Sequence, residues 1–133
     1  SPVCPSSLPT RGGRRPLPTQ PPALYKPPMI TPSELALLRR LEERVLWLAC
    51  WTIHHANHVR ESRDGLKVGG HQASCASINT LMTVLYFRAL RPQDRVAVKP
   101  HASPVFHAIQ HLFGRQDLDQ LRRFRAFGGA QSY

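Results

Sequence analysis

The sequence predicts an α/β, helix-rich piece of structure, and three observations lead there. Two long stretches carry apolar residues at helical spacing, a short stretch alternates charge with valine, and glycine- or proline-bearing loops separate them. With 133 residues and 41% apolar content, the chain supports one modest core. Residues 1–30 are expected to be a Pro-rich disordered lead-in and residues 31–133 the folded unit. Ten of the 13 prolines fall within residues 1–32, where each fixes a backbone angle and removes a donor.

Order is expected to begin at Thr31-Pro32-Ser33-Glu34, where a hydroxyl precedes a carboxylate by three residues and proline takes the first helical position. The helix that follows carries Leu35, Leu38, Leu41, Val45, Leu48 and Thr52 on one face and is expected to reach about Val59. Glu61 to Gly65 form a turn, and Val68-Gly69-Gly70-His71 continue it as a loop, because paired glycines disfavour helix. A second helix is expected over Ala73–Leu90, with Ile78, Leu81, Met82, Leu85 and Ala89 inward and Arg91-Pro92 ending it. Arg95-Val96-Ala97-Val98-Lys99 reads as a short strand that Pro100 terminates. Ser103-Pro104 opens a third helix to about Phe113, stopped by Gly114. Asp117 caps a short fourth helix with Leu118, Leu121 and Phe124, and with Arg122, Arg123 and Arg125 on a solvated face.

The formal charge is +10, of which +6 lies in residues 34–133, a surplus that attracts polyanions without selecting among them. Cys4, Cys50 and Cys75 are far apart and form no CxxC pair, which argues against a structural zinc site or a disulfide framework and favours a reducing, cytoplasmic setting. No apolar run approaches the ~18–20 residues that span a bilayer, so a membrane is not expected as a partner.

Two loops share one arrangement: a histidine just before a helix that opens with small or hydroxylated residues. They are Gly69-Gly70-His71-Gln72-Ala73-Ser74 and Lys99-Pro100-His101-Ala102-Ser103-Pro104. Helix N-termini present unpaired amides and a positive dipole end, so such loops suit a phosphate or carboxylate. The pair His54 and His58, one turn apart, has no third metal ligand at a sensible spacing. Trp47 and Trp51 fit core or subunit-interface anchors better than a stacking platform.

In order along the chain, Gly69-Gly70-His71-Gln72-Ala73-Ser74, then Asp94-Arg95-Val96 leading to His101-Ala102-Ser103-Pro104, then Asp117-Leu118 through Phe124-Arg125, resemble the thiamine-diphosphate-dependent transketolase superfamily. The resemblance covers residues 34–133 and is greatest to the homodimeric pyruvate dehydrogenase side. It implies the first helices and one strand of an open, mainly parallel-sheet cofactor domain. It also implies an oxidoreductase that decarboxylates pyruvate and transfers the acetyl group to a lipoyl carrier, with transketolase-type two-carbon transfer as the alternative. Thiamine diphosphate and magnesium are the implied cofactors of the complete protein, and a second copy and a lipoyl-bearing acyltransferase its partners.

Under the resemblance, His71 and His101 are the catalytic candidates, with His71 orienting substrate and stabilising developing charge. Ser74 matches a cofactor contact, His101 matches the second family histidine near thiamine and its diphosphate, and Ser103 is placed with the cofactor-binding residues as a support for that loop. Lys99-Pro100 departs from the Gln-Gly or Asn-Gly that relatives commonly carry, and His107 replaces a frequent tyrosine. The Gly-Asp-Gly to Asn-Asn segment that binds magnesium and diphosphate is absent, as is the activating glutamate. The chain, which starts at Ser1 and stops after a glycine pair, is therefore expected to be an N-terminal piece holding one wall of an active site and inactive alone. The rival expectation is a non-catalytic basic helical binding module, disfavoured because its charges form no stripe with interleaved aromatics.

Overall fold

The computed structural model describes residues 29–62 and 64–132. All of the lead-in except Met29 and Ile30 lies outside the described residues, so the expected disorder of residues 1–28 does too. Among the described residues the fold is four α-helices: α1 (Pro32–His54), α2 (Gln72–Val84), α3 (Ser103–Leu112) and the short α4 (Leu118–Arg122). Helix α1 packs against both α2 and α3, and these two pack against each other.

The start of α1 follows from the capping box. Thr31 Oγ1 accepts from the Glu34 amide at 3.2 Å, and the Thr31 amide donates to the Glu34 carboxylate at 2.9 Å. That donated bond is the main reason the Glu34 carboxyl titrates below its ordinary range. The face buried by α1 carries Leu38, Val45, Ala49, Thr52 and Ile53. Leu35 and Leu37, on the first turns, stay exposed. Past His54 the helix widens into a π turn, His55–Val59, closed by the Arg60 amide donating to the His55 carbonyl at 2.8 Å.

Helix α2 also ends in a π turn, Leu85–Ala89, close to the expected end. Its inward face differs from the apolar stripe the sequence suggests. Leu81 is exposed, while Cys75, Asn79, Met82 and Thr83 are buried. The Nδ2 of the buried Asn79 donates to the Glu42 carbonyl of α1 at 3.0 Å, which offsets part of the cost of burial, while its Oδ1 has no partner among the described residues.

The strand expected over residues 95–99 does not form, and no strand exists among the described residues. An alternating sequence becomes a strand only when a neighbour pairs with its amides and carbonyls. Here the segment is an extended connection whose Val98 packs on the core. The sheet of an open α/β domain is accordingly absent from the described residues, and the fold observed is helical. Asp94 instead closes the preceding turn, accepting from the Arg91 amide at 2.9 Å.

Helix α3 runs through the centre of the core, with Val105, Ala108 and Ile109 fully buried against Val45, Ala49 and Ile53. It ends where Gly114 takes φ +70. Helix α4 starts in a second capping box, Asp117 with Gln120. It buries Leu121 and leaves Leu118 exposed. No helix among the described residues is long and apolar enough to cross a membrane.

Candidate functional site

The fold brings the two histidine loops to one place. His71, Ser74 and His101 line a single cleft of about 690 Å³, together with Gly70, Pro100 and Arg125. His71 and His101 come from loops 30 residues apart, and what joins them is the packing of α2 against α3. Neither imidazole has a hydrogen-bond partner among the described residues, and both are exposed.

His71 sits at the position preceding α2, in extended backbone at φ −112 and ψ 128. Its loop is fixed by Asn57, in the π turn that follows α1. The Gly69 amide donates to Asn57 Oδ1 at 2.6 Å, and Asn57 Nδ2 donates to the Gly70 carbonyl at 3.2 Å. One side-chain amide thus satisfies one backbone group of each glycine, the Gly69 N–H and the Gly70 carbonyl. The two glycines serve different needs. A Cβ on Gly69 would stand 2.5 Å from the Ile53 carbonyl oxygen, so only glycine lets the loop lie against α1. Gly70 adopts φ +87, a conformation that L side chains resist.

His101 lies in a short 3-10 turn, Pro100–Ala102, just before α3. Ser103 does not line the cleft. It is buried, and its Oγ donates to the Pro100 carbonyl at 2.7 Å, so it braces the turn from behind. Lys99 is likewise absent from the cleft lining, whereas Pro100 forms part of it. Of the residues singled out from sequence, His71, Ser74 and His101 are brought together and Ser103 is not.

Cys75 reaches the same cleft from the first turn of α2 and donates its thiol to the His101 carbonyl at 3.3 Å. Burial, then the neighbouring Cys50, push this thiol up to about 11. A thiol held in that state is a weak hydrogen-bond donor that ties the two loops together, and no thiolate nucleophile forms near neutral pH.

Arg125, expected on a solvated helix face with Arg122 and Arg123, lies beyond α4 and faces the cleft. Its backbone is left-handed at φ 58, which costs a non-glycine residue about 1–3 kcal/mol. The surroundings enforce it: the Arg125 amide donates to the Ala130 carbonyl at 2.7 Å, and the guanidinium lies over the Phe124 ring, 5.0 Å from its centroid. Nη1 donates to the Val68 carbonyl at 2.6 Å, and Nε donates to the Ser132 hydroxyl. Sequence pattern gives neither Arg125 nor Asn57 a role at the site, because their partners lie 57 and 13 residues away.

His107 is a packing residue. It is buried, and its two ring nitrogens meet the Gln131 carbonyl at 2.5 Å and Gln116 Oε1 at 3.0 Å. A carbonyl can only accept, so Nε2 carries the proton. A neutral ring is then satisfied when the Gln116 amide turns its N–H toward Nδ1. His54 and His58 do approach, with ring centroids 5.1 Å apart, but no group of three or more His, Cys, Asp or Glu among the described residues could hold a metal ion. Trp47 is exposed and stacks at 6.4 Å on Trp51, so it is not a core anchor.

The charge and chemistry of the cleft suit an anion. Lys67 and Arg125 line it, and among the described residues no Asp, Glu or Asn does. A magnesium ion held by protein takes an oxygen-rich set that includes carboxylates, so these residues do not fit the magnesium–diphosphate end of thiamine diphosphate.

Among curated proteins, the chain is similar to the pyruvate dehydrogenase E1 component of Escherichia coli (strain K12), at 36% identity over 100 residues, 71% of this chain and 11% of that protein. It is also similar to the E1 components of Mycolicibacterium smegmatis, 34% identical over 113 residues, and Mycobacterium tuberculosis, 32% identical over 113 residues. These matches cover 77% of this chain and 12% of each relative. No family model and no solved structure matches. The chain thus spans about an eighth or less of the length of the curated relatives it matches.

Proposed function

We propose that this chain is the N-terminal part of a thiamine-diphosphate-dependent pyruvate dehydrogenase of the E1 type and supplies one wall of its 2-oxo-acid site. The observation that carries the reading is that His71 and His101, each with an unpartnered imidazole, line one cleft with Ser74. The similarity to E1 components over about 100 residues supports it from an independent direction.

In this reading His71 and His101 hydrogen-bond the carbonyl oxygen of pyruvate and hold or pass a proton at a ring nitrogen. The Asn57 clamp on Gly69 and Gly70 keeps His71 on its loop, and Ser103 and the Cys75 thiol brace the loop of His101. When bound, thiamine diphosphate supplies the electron sink for decarboxylation. Its magnesium ligands belong to residues outside this stretch, because no Asp, Glu or Asn among the described residues lines the cleft. A second copy of the chain and a lipoyl-bearing acyltransferase are the partners of the complete enzyme.

The test is a calorimetric titration of thiamine diphosphate and magnesium into this chain beside a protein extended by the residues that follow it in E1 relatives. Binding to the extended protein alone is expected. In that protein, His71→Ala should lower turnover by roughly 10²-fold or more while leaving the melting temperature nearly unchanged. Failure of the extended protein to bind, or equal loss of turnover and stability in His71→Ala, contradicts the proposal.

A further inference from the structure

Arg125 has more hydrogen-bonding capacity than the protein uses. A guanidinium carries five N–H donors. One, on Nε, goes to the Ser132 hydroxyl, and one, on Nη1, goes to the Val68 carbonyl. The remaining donors, including both on Nη2, have no partner among the described residues. They lie beside Gly70: a Cβ placed there would be 3.7 Å from Nη1 and 4.0 Å from Nη2. Gly70, His71, His101 and Arg125 all line the same cleft.

Among the described residues Arg125, like Arg60 and Arg115, forms no ion pair with a carboxylate, so its charge is not neutralised. Its side chain is also held in place by the Phe124 ring, Ser132 and Val68, and its backbone is held left-handed by Ala130. A charged fork that is positioned and not neutralised, facing a cleft, is the arrangement that receives a planar two-oxygen anion.

We infer that Arg125 is the anion-anchoring residue of the cleft and that its Nη2 edge takes the carboxylate of a 2-oxo acid. Phosphate shares the negative charge and the acceptor oxygens, but the planar fork and the single free edge match a carboxylate. The inference rests on the reading of the cleft as a 2-oxo-acid wall. It adds the group that would discriminate a charged substrate from a neutral ketone, with the two histidines left to act at the carbonyl.

The experiment is an NMR titration of the intact chain with pyruvate, methyl pyruvate, inorganic phosphate and pyrophosphate, following the Arg125 Nε–H and the Val68, Gly69 and Gly70 amides. Pyruvate should shift these signals and the neutral ester should not. Arg125→Gln should weaken pyruvate binding roughly tenfold or more. Arg125→Lys should restore part of it, and Arg115→Gln, beyond the end of α3 and outside the cleft lining, should leave it unchanged.

The Nε–H and amide shifts in the unaltered chain keep the inference open to refutation if Arg125→Gln unfolds. Equal shifts with methyl pyruvate, no shift with pyruvate, or shifts confined to the arginines of α1 overturn it. Stronger effects from phosphate or pyrophosphate than from pyruvate reject the carboxylate. The E1 reading is decided separately: pyruvate binding at Arg125 without turnover in the extended protein rejects that reading alone, and turnover with unaltered binding in Arg125→Gln rejects this inference alone.

Discussion

The helical core and the cleft wall are held together by different forces. In the core, Val45, Ala49, Ile53, Val105, Ala108 and Ile109 from α1 and α3 exclude water almost completely, and burial of apolar surface does the work. Along the cleft, Asn57, Arg60 and Arg125 reach across long stretches of chain to backbone groups: Asn57 to Gly69 and Gly70, Arg60 to the Phe124 carbonyl, and Arg125 to the Val68 carbonyl. Apolar packing tolerates small shifts of the partners, whereas a hydrogen bond fixes a donor and an acceptor in direction as well as distance. The helices therefore set where the two histidine loops emerge, and the polar clamps set how the loops are held.

If this division holds, core and clamp substitutions should separate stability from binding. Ile109→Ala removes fully buried volume at the centre of α3 and should cost about 2–5 kcal/mol, read by denaturant unfolding. The cleft should lose its ligand only in proportion to the fraction unfolded. Asn57→Ala leaves the Gly69 amide and the Gly70 carbonyl without their partner and should cost about 1–3 kcal/mol. Its distinguishing result is local: amide exchange around residues 68–71 should rise more than exchange in α3. A uniform rise would dissolve the contrast between the two regions.

Cys75 tests the seam between them through pH. Its folded-state value is pushed up to about 11, so the folded chain keeps the thiol proton at pH values where the unfolded chain releases it. The contribution is complete below the unfolded value, about 8.5, and is lost as pH rises toward 11. Thermal unfolding followed from pH 8 to 11 should show a decline that Cys75→Ala reduces; an unchanged pH dependence would place the thiol outside the packed seam. The smallest effect belongs to Trp47, which is 64% exposed: Trp47→Ala should change stability by no more than about 0.5 kcal/mol.

What could be read from sequence follows the range of the forces involved. Thr31-Pro32-Ser33-Glu34 and Asp117 announce helix starts because a cap is a contact between residues three apart, and both form. The glycine pair and Gly114 mark loops for equally local reasons. Residues 95–99 mislead because strand formation depends on a partner that the alternating pattern does not specify. Leu81 is expected inward and is exposed, whereas Asn79 is buried with its Nδ2 on the Glu42 carbonyl of α1, 37 residues away, a contact that helical spacing does not specify. At the site, His71, Ser74 and His101 stand out through motif, whereas Ser103 turns its hydroxyl to Pro100. Arg125 and Asn57 become visible only when chain segments far apart in sequence meet.

The most direct test of the account is the behaviour of the His71 and His101 imidazoles together. Side-chain NMR of the intact chain, followed as pyruvate is added, should move both rings along a single binding curve, and His71→Ala should abolish the response at His101. Response of one ring without the other, or two curves with different midpoints, would contradict the claim that the two loops form one wall of one site.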